Sequence, residues 1–143
     1  MQNSDLQAVK QALVAAGVEI YRTRPEEIQI AERVRLHIMD SGIRISIADT
    51  SAVLFTARSQ RSDYPHEAPD QLFAKVRGTV GLAASARGYA EKSAGITEVT
   101  DPVDAQKILD VWHEVTFAKS VGSIEDAVSE VLWALSQEKY VAG

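Results

Sequence analysis

Apolar residues recur along this chain with two periods, and each change of period marks a new element. In "SDLQAVKQALVAAG", Leu6, Val9 and Leu13 return at helical spacing, which predicts a helix over residues 4–17. Ser4 followed by Gln7 has the capping-box pattern, and Gly17 suits the left-handed position just past a helix end. From Val18 the period falls to two. Val18 and Ile20 alternate with Glu19 and Tyr21 as a short first strand, and "RPEE" turns the chain. The even positions Ile28, Ile30, Val34, Leu36 and Ile38 are then apolar, interrupted only by Glu32, which marks a bulge or bend in a strand. A helix over residues 25–40 competes, since "PEE" is a good helix start, but it would spread these aliphatics around its axis.

"MDSG" supplies the next turn, after which Ile43, Ile45 and Ile47 alternate with Arg44 and Ser46. "ADTS" turns the chain again, and Val53, Phe55 and Ala57 carry the pattern to Gln60. The expectation is an antiparallel meander with aliphatics on one face and Arg33, Arg35, His37, Arg44 and Arg58 on the other.

"RSQRSDYPHEAPDQ" has no period, and Pro69 then opens a helix through "PDQLFAKVRGTVGLAASARGYAEK", striped by Leu72, Val76, Val80 and Ala83. Gly78 and Gly81 each cost about 1 kcal/mol against alanine inside a helix. They either serve close packing on the sheet or divide the segment in two. "GITEVTDPVD" reads as an edge strand stopped by Pro102, and "DVWHEVTFAKSV" sets Val111, His113, Val115 and Phe117 on one side of another. Gly122 and Ser123 start a last helix, with Asp126 near its amino end and Ile124, Val128, Val131 and Leu135 as its stripe. This order predicts a single two-layer α+β domain over residues 1–143, an antiparallel sheet of about five strands with helices on one face.

Composition narrows the function classes. The chain has 143 residues, 45% of them hydrophobic and 24% charged, ordinary values for one globular domain. It contains no cysteine, hence no disulfide, thiolate metal site or cysteine nucleophile. The longest apolar run, "ALVAAGV", is far short of a membrane span, and the opening residues lack the layout of a secretion signal. A soluble cytoplasmic protein without membrane contact is expected. The net charge of −5 argues against a nucleic-acid partner. Charge is uneven: residues 1–67 hold eight Lys/Arg against nine Asp/Glu, and residues 68–143 hold seven against eleven. Between Gln11 and Ala74 every Lys/Arg position is arginine, whose planar fork meets carboxylate or phosphate at two points. A solvated sheet face is the plainer account of the same residues.

No catalytic signature survives. "HEAP" and "HEVT" start like zincins but lack the second histidine. "GTVGLAASARG" has neither the dinucleotide nor the phosphate-loop pattern, and no G-x-S-x-G is present. The Asp63/His66/Glu67 loop is the one cluster that suggests a metal or an acid–base pair, while His113 reads as a satisfied core residue. No cofactor, metal or catalytic residue is assigned. Trp133 and Tyr140 project nearly opposite the stripe of the last helix, and Trp112 falls on the strand face shared with Glu114 and Thr116. Trp, Tyr and Arg dominate binding hot spots. The competing account is a covered second face, or a strand slipped by one residue.

The "SDLQAVKQALVAAG" helix, the "RLHIMDSGIRISIADTSAVLF" meander, the "DVWHEVTFAKSV" strand and the closing "SIEDAVSEVLWALSQEKYV" together resemble, in order, the type III secretion chaperones and the related YbjN-like proteins. No sequence motif of those families is matched, so no site residue carries over. The resemblance implies a dimeric, non-enzymatic interaction module. The expected function is a chaperone-like or regulatory adaptor, a homodimer binding a protein partner through Trp112, Trp133, Tyr140, Arg33, Arg35, Arg44 and Arg58. The alternatives are a small-ligand binder or enzyme using the Asp63–Glu67 loop, or a regulator of a switch protein such as a small GTPase or response regulator.

Overall fold

The computed structural model describes residues 6–48 and 50–143. Ser4 of the capping-box pattern and Asp49 of the "ADTS" turn lie outside them. The elements run α1 (Leu6–Ala15), β1 (Ile20–Arg24), β2 (Glu27–Val34), β3 (His37–Ser46) and β4 (Ala52–Gln60). A 3₁₀ turn at Arg61–Asp63 follows, then α2 (Pro69–Gly78), α3 (Val80–Ala86), β5 (Ala90–Thr100), β6 (Ile108–Ser120), α4 (Ile124–Ser136) and β7 (Tyr140–Val141). The architecture is α+β. Among the described residues seven strands form one open sheet in the order β1-β2-β3-β4-β6-β5, with β7 beside β4. β7 runs parallel to β4, with Tyr140 against Arg58, whereas β1 to β4 pair antiparallel. Among the described residues no helix is long and apolar enough to cross a membrane.

The chain divides into two compact units, residues 1–55 with 118–137 and residues 56–117 with 138–143. In the first, α1 buries Leu6, Val9 and Leu13 as its spacing predicts, and packs against β2 and α4. Gly17, at φ +85°, ends it, and the Val18 N–H bonds back to the Leu13 carbonyl at 2.9 Å. Ile28, Ile30, Ile43, Ile45, Val53 and Phe55 form the apolar core on the strands.

The turn expected at "MDSG" lies elsewhere. The β2–β3 hairpin turns at Arg35–Leu36, and β3 continues straight through Asp40, Ser41 and Gly42. Those turn-forming residues make a bulge instead. The register passes from Gln29 opposite Arg44 to Ala31 opposite Asp40, so three β3 residues face one on β2. Gly42 sits at φ +78°, its N–H held by Asp40 Oδ1 at 2.9 Å, while the Ser41 hydroxyl donates to the Ile30 carbonyl at 2.7 Å. The side chains answer each polar group locally, so the strand bends without ending. Beyond the bulge the hairpin is exposed on both faces. Val34, Leu36, Ile38 and Met39, read above as core-facing or turn positions, are 45%, 92%, 51% and 49% exposed.

In the second unit the predicted long helix breaks at Thr79, whose hydroxyl bonds back to the Lys75 carbonyl at 2.7 Å. The break rotates the stripe: Leu72, Val76 and Val80 are buried, but Ala84 replaces Ala83. Residues 90–92, assigned above to the helix, belong to β5. Val111, His113, Val115 and Phe117 of β6 are buried together as expected.

Candidate partner-binding site

The four candidate arginines meet four different fates. Arg33 of β2 donates from Nε to Glu19 at 2.5 Å, and Arg44 of β3 lies 3.1 Å from Glu27. Both are neutralised inside the chain, the second by a near-opposite residue on the paired strand. Arg35 occupies the exposed hairpin turn at φ +59°, a left-handed conformation that costs a non-glycine residue about 1 kcal/mol or more. Arg58 of β4 is the exception. Its Cζ lies 4.0 Å from the centre of the Trp112 ring and 5.1 Å from that of Tyr140. The arginine row expected on the sheet is thus not a set of equivalent groups.

The cluster around Arg58 is built by alternation on three strands. Arg58 and Gln60 share one face of β4, Asp110 and Trp112 one face of β6, and β7 sets Tyr140 beside Arg58 in parallel register. The Arg58 N–H donates to the Lys139 carbonyl at 2.8 Å, which helps to fix the returning chain. Its Nε donates to Gln60 Oε1 at 2.9 Å, and Gln60 Nε2 donates to Asp110 at 3.0 Å. Asp110 also receives the Ser62 N–H at 3.0 Å and the Ser62 hydroxyl at 2.6 Å. Partial burial opposes ionisation of Asp110, but the Ser62 bonds, the Val111 N–H and the Arg61 charge together outweigh it and hold its carboxyl below the ordinary value. On the other side the Tyr140 hydroxyl donates to Asp63, and that bond, with some desolvation and the Asp63 charge, pushes the phenol up to about 12.

This relay orients the guanidinium and spends only Nε. Among the described residues Nη1 and Nη2 of Arg58 have no carboxylate partner. The guanidinium lies over the Trp112 ring, and a guanidinium fork has the two-donor geometry that carboxylates and phosphates accept. A guanidinium over an indole contributes about 0.5–2 kcal/mol, depending on desolvation. Arg58, Trp112 and Tyr140, three of the seven candidate residues, therefore converge, and Trp112 lies on the predicted face with no slip of register.

Two expectations about the last helix are corrected. α4 ends at Ser136, so Tyr140 is a strand residue and shares no helix face with Trp133. The buried face of α4 is Ala127, Glu130, Val131 and Ala134, rotated from the predicted aliphatic stripe toward Trp133. Glu130 is admitted to that face by an ion pair with Lys119 at 2.7 Å. Trp133 is consequently half-buried, its ring edge-on to the fully buried Phe55 at 5.8 Å. It packs against the core instead of standing free of it.

The Asp63–Glu67 loop is not gathered into a centre. Asp63 accepts from Tyr140, Glu67 lies 3.0 Å from Lys75, and His66 is exposed. No group of three or more His, Asp or Glu among the described residues is arranged to hold a metal ion. His113 is a core residue, edge-on to Phe73 at 5.2 Å, but its Nδ1 lacks a hydrogen-bond partner, and burial lowers its pKa. Sequence reasoning missed Gln60, Ser62 and Asp110, although the shared parity of Gln60 with Arg58 and of Asp110 with Trp112 was available.

Compared with protein-family models, curated proteins and solved structures, the chain matches none. The functional reading therefore rests on the chemistry of its own residues.

Proposed function

We propose that this chain is a non-enzymatic protein-interaction module, a chaperone-like or regulatory adaptor that acts in the cytoplasm as a homodimer and takes a carboxylate of its protein partner on Arg58. The observation that carries the reading is the guanidinium stacked on Trp112 and near Tyr140 with its outer fork uncommitted. Such a group accepts a carboxylate at two points, and the rings around it add apolar contact at little entropic cost. The strained Arg35 beside exposed Val34, Leu36 and Ile38 supports a second contact of mixed character, since sizeable exposed apolar patches mark interaction surfaces. The cysteine-free composition supports a reducing compartment.

The test is affinity capture from native extract with four baits: wild type, Arg58→Lys, Trp112→Ala and Arg44→Lys. A partner retained by wild type and Arg44→Lys but lost by the other two supports the proposal. The same proteins on all four baits would refute it.

A further inference from the structure

The sheet ends in two unlike edges. β1 is five residues long, kinked by a bulge at Tyr21, and carries Arg22 and Arg24. Those are the ordinary devices that keep an edge from pairing. β5 is eleven residues long, and every residue but the half-buried Val99 is exposed. It contains no proline, and Ile96 is 54% exposed. Gly95, at its centre, has no structural reason within the chain: a Cβ built there meets nothing within 4 Å, and its φ is not positive. A glycine inside a strand often marks a bulge, a bend or the close approach of a ligand or another backbone, and the open space at Gly95 leaves room for the last.

We propose that β5 pairs antiparallel with β5 of a second copy of this chain, with Gly95 on the twofold axis. The inference rests on the homodimeric part of the function proposed above and gives it a surface. It is carried by self-complementarity in one register. With Gly95 facing itself, Lys92 stands opposite Glu98 of the second copy and Ala94 opposite Ile96, each pair occurring twice. On the other face Ser93 meets Thr97, and Glu91 meets Val99. A shift of two residues either way sets Lys92 opposite Ile96 or Thr100 and loses both ion pairs.

The charges needed are free to act. Glu91 is committed to Arg77, accepting from Nε at 2.8 Å and Nη2 at 2.9 Å. Among the described residues neither Lys92 nor Glu98 has an ion-pair partner. Charges that block pairing on an ordinary edge are here placed to meet their opposites. The main-chain groups supply affinity, and Lys92, Ile96 and Glu98 supply register.

The test is sedimentation equilibrium of wild type, Lys92→Glu, Glu98→Lys and the double exchange, with circular dichroism confirming the fold. Each single reversal sets like charges opposite each other at both sites and weakens the dimer by roughly tenfold or more. The double exchange restores the pairs and returns the dimer to near wild-type strength. A wild-type dimer indifferent to the single reversals, or not restored by the double exchange, overturns the β5 interface and leaves the homodimer reading standing. A wild-type monomer at every concentration overturns both.

Discussion

Arg44 and Arg58 occupy strands of one sheet, but their surroundings give them opposite roles. Arg44 faces a paired strand that offers Glu27, and the guanidinium is satisfied at 3.1 Å. Arg58 faces rings, so its charge is cushioned by an indole at 4.0 Å while its outer donors stay available. The difference teaches that an arginine on a wet strand face becomes a candidate binding group only when its cross-strand neighbours are aromatic. A count of arginines cannot distinguish the two cases.

The tryptophans differ in the same way, and substitutions can break that contrast. Trp133 packs edge-on against Phe55, so Trp133→Ala is expected to cost about 2 kcal/mol, read as a lower denaturant midpoint. A negligible loss would return Trp133 to the free surface that the helical pattern suggested. Trp112→Ala removes the platform under Arg58 and is expected to cost about 1 kcal/mol in the same measurement. Equal losses at both sites would make the Arg58 cluster a piece of core. Arg44→Ala breaks a half-exposed pair and should change stability by less than about 0.5 kcal/mol. A larger loss would show that the paired arginines are structural anchors.

A further expected effect concerns protons. Folding raises the Tyr140 pKa from 10.0 to about 12 through Asp63, so the folded chain keeps a proton that the unfolded chain releases. That contribution to stability is complete below pH 10 and is lost as pH rises toward 12. An alkaline absorbance titration of wild type minus Tyr140→Phe should show a phenol step near pH 12. A difference step near the ordinary value would remove the Asp63 bond from the account.

Much of the fold was legible because burial imposes period. Leu6, Val9 and Leu13, and Val111, Val115 and Phe117, were all placed correctly by spacing alone. The errors share one cause, local side-chain chemistry that overrides period. Asp40 and Ser41 satisfy the backbone within a bulge, so a turn signature lies inside a strand and the real turn falls at Arg35. In α4, Ala127, Ala134 and the Lys119-paired Glu130 join Val131 on the inner face, and the other predicted aliphatics flank it. Of the site, the residue types and the Trp112 face were readable. The meeting of Arg58 with Tyr140 was not, because it depends on a two-residue parallel strand with no periodic signal.

The most direct test follows the arginine Nε–Hε resonances by NMR during titration with a glutamate-rich peptide and its glutamine counterpart. The account predicts that Arg58 shifts with the acidic peptide alone, while Arg33 and Arg44, held by Glu19 and Glu27, stay in place. Equal shifts at all three arginines, or none at Arg58, would contradict it.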